Sequence, residues 1–267
     1  MAQNISHVKV EMLVEQTSVQ AGASVTLGFH FRMQKGWHIY WQNPGDSGQA
    51  PSISWTLPEG FTSGDILWPA PQRIPIPNLA DYGYTNEVVL MVPIQAPAKL
   101  KPGRFVRFSA HARWLVCNEI CIPGDMNFNA RLVVKNHKAK VSGRHEYLFQ
   151  MARRSLPKPL PTNWSAGAGL GKKEFWVTVS PDSSISKAAT ASFIPRFPNQ
   201  IENAPTPVFK WLGSSFQVRL KKSDQLAKTP ETLDGVLVIK DKKSTKSFDL
   251  SMSLKGNETS TEDAHDQ

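Results

Sequence analysis

The stretch from Phe105 to Val134 constrains the fold more than any other, because it holds both cysteines of the chain, Cys117 and Cys121, at a spacing that sets a register. Taken as a β-hairpin with Asn118, Glu119 and Ile120 as its loop, it sets Cys117 opposite Cys121. Pairing outward then sets Val116 against Ile122, Ala112 against Met126, Ala110 against Phe128, Phe108 against Ala130 and Val106 against Leu132. One face is apolar over most of its length, as a strand pair covering a core should be. The other face pairs Arg113 with Asp125, His111 with Asn127 and Ser109 with Asn129, and it carries both cysteines beside the tip. A slip of one residue would mix the two faces. Arg107 opposite Arg131 is the one unfavourable pair. A short loop and directly opposed strand positions suit a disulfide. The same spacing on a helix would stack the two side chains one turn apart, a poorer fit.

With 267 residues, the chain is long enough for two ordinary domains, each with its own core. Hydrophobic residues at 40% and charged residues at 20% describe a globular chain, and no apolar run is long enough to span a membrane as a helix. The formal charge of +9 is spread along the chain without a clustered patch, which reads as a solvated basic surface and argues against nucleic acid as a partner. Met1 followed by Ala2 and Gln3 is the small-then-polar start of many exported proteins, so Met1 is expected to stand where a signal peptide was removed.

Strands are expected at Val8 to Val14 and Ser24 to Phe31, then through Trp37-His38-Ile39-Tyr40-Trp41 into a turn rich in Gly, Pro and Asn, and again at Ile53 to Leu57. The prolines between Trp68 and Asn78 predict an ordered loop or a sheet edge, Asp81 to Asn86 a turn, and Glu87 to Ile94 a buried strand interrupted by Pro93. Such short strands with turn signals between them argue an all-β sandwich. Arg144 to Ser155 is the first helical pattern, and Leu156-Pro157-Lys158-Pro159-Leu160-Pro161 ends it as a stiff linker. The expected organisation is a first β-sandwich over residues 1–142, a helix and Pro-rich linker over 143–163, a smaller second β-sandwich over 164–256, and a disordered acidic tail over 257–267.

Three chemistries suit the cysteine pair. A structural disulfide would close so short a loop that its entropic gain is small. A redox-active dithiol needs an accessible thiolate and a resolving thiol within reach, with Arg113 and His111 favouring the thiolate and Glu119 opposing it or carrying a proton. A soft Cu(I) site would combine Cys117 and Cys121 with His111 or Met126. His38, Tyr40, Trp37 and Trp41 are expected as core and loop-anchoring aromatics. No Ser/His/Asp signature, phosphate loop or carboxylate pair stands out.

The motifs Gly36-Trp37-His38-Ile39-Tyr40-Trp41-Gln42-Asn43-Pro44-Gly45-Asp46-Ser47-Gly48, Asp81-Tyr82-Gly83-Tyr84 and Trp114-Leu115-Val116-Cys117-Asn118-Glu119-Ile120-Cys121-Ile122-Pro123 resemble the amino-terminal periplasmic region of DsbD-type thiol:disulfide interchange proteins, in the ScsB branch named for suppression of copper sensitivity. The resemblance implies two tandem immunoglobulin-like domains and a periplasmic location. It implies that the cysteine pair itself is the redox centre, without a bound cofactor, with Cys121 forming the mixed disulfide and Cys117 resolving it. Electrons would come from a membrane-embedded donor with a thioredoxin-like domain and pass to periplasmic thioredoxin-fold or disulfide-isomerase acceptors. A cap loop shields the pair in DsbD, and here it would lie around Asp81, Tyr82 and Tyr84. DsbD spaces its cysteines more widely and carries its cap aromatic where this chain has Asp81. ScsB proteins continue into membrane helices and a thioredoxin-like domain, so the donor is expected in the remainder of a longer protein or in a separate one.

Overall fold

The structure is a computed structural model that describes residues 3–5, 7–242 and 244–254, so the expected acidic tail at 257–267 lies outside the described residues. By its contacts the chain divides into two units, Met1–Ile74 with Asp81–Leu156, and Pro75–Ala80 with Pro157–Gln267.

The strands that open the chain are β1 (Gln3–Ile5), β2 (Val8–Val14), β3 (Ser18–Val19), β4 (Ser24–Met33), β5 (His38–Gly45), β6 (Ser52–Thr56) and β7 (Thr62–Ser63). They are followed by β8 (Gln72–Ile76), β9 (Leu79–Thr85), β10 (Glu87–Gln95), β11 (Phe105–Cys117), β12 (Cys121–Val134) and the helix α1 (Glu146–Arg154). One sheet runs β1-β2-β4-β10-β7 and the other β3-β12-β11-β5-β9-β8, with β6 paired to β11. The alternating inward residues of the two sheets meet in one core, where Val25, Leu27, Val92 and Ile94 pack with Phe108, Leu132 and Val134. Edge-to-face rings join the layers, Phe29 on Phe128 at 5.5 Å and Phe31 on Trp114 at 5.5 Å.

The hairpin of β11 and β12 has the expected register at every pair from Val106 with Leu132 to Cys117 with Cys121. Trp114 lies over Gly124, its partner across the pair, so that a side chain at Gly124 would collide with the indole. Strand β10 runs unbroken through Pro93, which pairs with Thr26. One expectation is corrected. Asp81 to Tyr84 is strand, not turn, and only Asn86 at φ 61° makes the tight reversal into β10. Of the two forms expected for the proline-rich stretch, the structure has the sheet edge, as β8.

The helix is not a connector. Its Phe149 and Ala152 are buried with Leu13, Val89 and Met91 on the outer face of the β2-β4-β10 sheet, with Gly28 leaving room for the Phe149 ring. That cover explains why β10 is apolar on both faces and why β4 is buried on both although Thr26, Gly28 and His30 alternate with its apolar residues. Arg153 at the last turn donates to Glu15 at 2.5 Å and so fixes the helix to the chain after β2. Because Phe149 is buried at 1% exposure in that cluster, Phe149→Ala is expected to destabilise this unit by about 3–5 kcal/mol, measured by urea unfolding against the parent.

The second unit contains β13 (Lys158–Pro159), β14 (Ser165–Leu170), β15 (Glu174–Ser180), β16 (Thr190–Pro195), β17 (Val208–Leu212), β18 (Ser215–Lys221), β19 (Thr232–Lys240) and β20 (Thr245–Ser253). These form the sheets β13-β20-β19-β16 and β14-β15-β18-β17 around Phe175, Phe193, Phe216 and Leu237.

Candidate functional site

The site forms where β11 ends, beside β5 and β9. Cys117 and Cys121 are joined by a disulfide with a Cα separation of 4.2 Å, which the directly opposed register allows. The loop between them is tight, with the Asn118 amide donating to the Ile120 carbonyl at 3.0 Å. The two sulfurs differ in environment. Cys121 is exposed at the start of β12, whereas Cys117 retains 1% exposure although it lies on the hairpin's polar face. That face is open along Arg113 and Asp125 but closed at the tip, because β5 takes over as the neighbour of β11 there and pairs His38 with Cys117.

In antiparallel pairing, opposed side chains leave the same side of the sheet and alternate along each strand. His38 and Tyr40 on β5 therefore share a side with Cys117 and, through the pairs His38 with Thr85 and Tyr40 with Gly83, with Asp81 on β9. The Tyr40 hydroxyl lies 3.6 Å from Sγ of Cys121 and 3.5 Å from Oγ of Ser47. Ser47 gives its hydroxyl proton to Oδ2 of Asp81 at 2.7 Å and its backbone N–H to Oδ1 at 2.9 Å. The Ser47 proton being so committed, Tyr40 acts as the donor toward Ser47 and Cys121. Gly48, at φ 72°, lies against the Tyr40 ring, where a Cβ would fall 2.0 Å from Cζ. The turn after β5 thus holds the tyrosine over the exposed sulfur.

Burial, opposed by the Ser47 contact and reinforced by the Asp81 charge, pushes the Tyr40 hydroxyl up to about 12. Tyr40 therefore remains a neutral donor over the range in which thiols exchange, and a donor beside Cys121 favours its thiolate once the disulfide opens. Asp81 is fully buried, and its Oδ2 lies 3.5 Å from Nε2 of His38, itself only 4% exposed.

The residues singled out in the sequence are only partly gathered here. Both cysteines and Asp81 are present. Tyr82 and Tyr84 are buried, and Tyr84 donates to the Pro69 carbonyl at 2.8 Å, with burial raising both phenols. Glu119 is exposed in the loop. His111 bonds Asp125 at 2.6 Å, and six strand positions set it roughly 20 Å along β11 from Cys117. Arg113, four positions away, is roughly 13 Å off. Met126 is buried on the opposite side of the hairpin, with the core. The set Cys117, Cys121, His111 and Met126 is therefore not assembled to hold a Cu(I) ion. Tyr40, Ser47 and His38 are the groups the sequence reading assigned elsewhere or passed over. The signal for them was the density of Tyr, His, Asp and Ser around the turn at Gly45 to Gly48.

Residues 8–132 match the family model described as thiol:disulfide interchange protein DsbD, N-terminal. No curated protein matches the sequence. Among solved structures, the N-terminal periplasmic domain of ScsB from Proteus mirabilis superposes with a TM-score of 0.70 at 16% identity, over 95% of this chain and 97% of that one. The yeast GGA1 GAE domain (TM-score 0.28, 9% identity, 49% of this chain and 96% of that one) is too distant in shape to inform the site. The same holds for the BcpA major pilin subunit of Bacillus cereus (TM-score 0.27, 7% identity, 93% of this chain and 68% of that one). The chain thus has the fold of the ScsB periplasmic domain, and its part that carries Cys117 and Cys121, residues 8–132, is similar to the amino-terminal domain of DsbD thiol:disulfide interchange proteins.

Proposed function

We propose that this chain is a periplasmic thiol:disulfide interchange module that passes electrons through Cys117 and Cys121 to oxidised partner proteins, and so acts as a protein-disulfide reductase. The observation that carries this reading is the asymmetry of the pair, one sulfur exposed and the other at 1% exposure. Exchange requires one sulfur that a partner can reach and a second, held within bonding distance, that partners cannot reach. Cys121 is the attacking thiolate and Cys117 the resolving thiol. The electron donor is a membrane-embedded protein with a thioredoxin-like domain, the acceptors are periplasmic thioredoxin-fold proteins or disulfide isomerases, and the second unit serves as spacer or docking surface. Copper binding at the same two sulfurs would have to proceed without His111 and Met126, and no observation favours it.

The reduction potential of the pair in a glutathione series tests the reading, with free thiols counted by alkylation and mass. A value between roughly −180 and −270 mV is expected, within the range of exchange proteins. A value below about −300 mV would identify a structural staple instead.

A further inference from the structure

Either direction of exchange creates a problem at Cys117 that the cysteine pair does not solve alone. When the disulfide opens at Cys121, the electron pair of the broken bond goes to Sγ of Cys117, a sulfur with 1% exposure. An unpaired thiolate is costly in such a position. The residue opposed to Cys117 across the β5–β11 pair is His38, whose Nε2 has no hydrogen-bond partner among the described residues although it is buried. A buried polar nitrogen left in that state calls for an explanation. It points at Asp81, a fully buried carboxylate already oriented by two hydrogen bonds from Ser47. The side of the sheet thus presents a sulfur, an imidazole and a carboxylate in series on β11, β5 and β9, with Gly83 between His38's neighbour Thr85 and Asp81 adding no side chain.

We propose that His38 is the acid–base group of Cys117, exchanging a proton with its Sγ each time the disulfide opens or closes, and that Asp81 is the residue that positions His38 for this. The inference rests on the interchange function proposed above. In the reductive half, a thiolate of a dithiol-bearing donor attacks Sγ of Cys121. The donor–Cys121 bond forms, the Cys117–Cys121 bond breaks, and the imidazolium of His38, opposed to Cys117 across the strand pair, gives a proton to the departing Cys117 thiolate. The donor's second thiolate then attacks the donor sulfur of the mixed disulfide, which releases Cys121 as a thiolate and leaves the donor oxidised by two electrons. In the oxidative half, the Cys121 thiolate attacks an acceptor disulfide. Neutral His38 takes the proton from Cys117, whose thiolate then closes the bond to Cys121 and expels the acceptor's second sulfur as a thiolate, so that the acceptor leaves reduced by two electrons and takes its protons from water. Asp81 stabilises the imidazolium in both directions. The titratable groups that the structure places around His38 are Asp81 on β9, Tyr40 on its own strand and Cys117 on β11.

The test is the rate at which dithiothreitol opens the disulfide between about pH 5 and 8, measured by quenched-flow alkylation and normalised to dithiothreitol thiolate. In the parent, the normalised rate falls as the imidazolium is lost with rising pH. His38→Gln is expected to be slower by about tenfold or more at the acidic end and flat across the range. Asp81→Asn shifts the fall to lower pH. A His38→Gln profile parallel to the parent's overturns the assignment, since a purely structural role lowers the rate equally at every pH. Nuclear magnetic resonance titration of the His38 Cε1 proton in the parent adds a measurement free of any folding defect. Its midpoint must differ between the disulfide and dithiol forms, and superimposable curves overturn the proposal. A parent disulfide that dithiothreitol does not open would overturn the interchange reading along with this one, whereas normal opening with an unchanged His38→Gln profile removes this one alone.

Discussion

Cys117→Ser is expected to accumulate as a covalent complex with an oxidised thioredoxin-fold acceptor, and Cys121→Ser to form none. The two variants remove one sulfur each from the same hairpin, so the difference between them isolates position. In Cys117→Ser the remaining thiol is the exposed one, with the Tyr40 hydroxyl 3.6 Å away to favour its thiolate, and nothing is left to resolve the mixed disulfide once it forms. In Cys121→Ser the remaining thiol has 1% exposure and lies behind β5, out of reach of a partner's sulfur. Non-reducing gels with a stoichiometric oxidised acceptor read the outcome directly. Alkylation by a bulky maleimide should separate the two variants by at least about tenfold, because attack on the buried thiol waits for local opening of the strand pair. Trapping through Cys117 instead of Cys121 would reverse the assigned roles, and equal trapping would remove the argument from burial.

The cysteine hairpin was legible in full because two independent patterns coincide in it. The period-2 alternation from Val106 to Val116 and from Ile122 to Leu132 allows one register, and the loop between the cysteines requires the same one. The burial of Cys117 was not legible, since alternation places a residue on a face without saying what covers that face. The cover comes from β5, which reaches β11 only at His38. For the same reason the sequence divided the site into unrelated pieces. Tyr40 and Ser47 are separated from Asp81 by the three strands β6, β7 and β8, and they meet it only through the pairing of β5 with β9. Asp81-Tyr82-Gly83-Tyr84 reads as a turn because Asp and Gly are turn formers, yet here Gly83 serves a close backbone approach within a strand. In the second unit, β14 is not legible in the sequence because Ser165 to Leu170 is mostly small residues with little β preference, and Gly169 is opposite Trp176 much as Gly124 is opposite Trp114. Glycine under a cross-strand tryptophan is a device that covers a weak strand position with an aromatic ring.

Gly83→Ala tests how strictly that close approach holds the site together. A Cβ on residue 83 would stand 2.0 Å from the Ile39 carbonyl oxygen and 3.1 Å from Cα of Tyr40. Both obstacles are backbone of β5, so no rotamer change relieves them and the two strands must separate. Overpacking of this kind costs about 1–3 kcal/mol where side chains can adjust, and the upper end is expected where they cannot. The loss should be local before it is global. The pairs His38 with Thr85, Ile39 with Tyr84 and Tyr40 with Gly83 flank the substitution, and the shift of register between Tyr40 and Gly45 already leaves β5 and β9 with little further pairing to hold them. Hydrogen exchange should therefore show the Ile39 and Tyr84 amides losing protection by roughly tenfold to a hundredfold while amides of β4 and β10 keep theirs. Because β5 carries both His38 and Tyr40, separation also moves the imidazole away from Asp81 and the phenol away from Cys121. Dithiothreitol should then open the disulfide with altered pH dependence even though neither cysteine has changed. Gly143→Ala supplies the control, since a Cβ there meets nothing within 4 Å and its φ requires no glycine. Its exchange pattern should match the parent's. If Gly83→Ala matched it as well, the contact between β5 and β9 would be loose, and the alignment of His38 with Asp81 would have to be held by Ser47 and the turn after β5 alone.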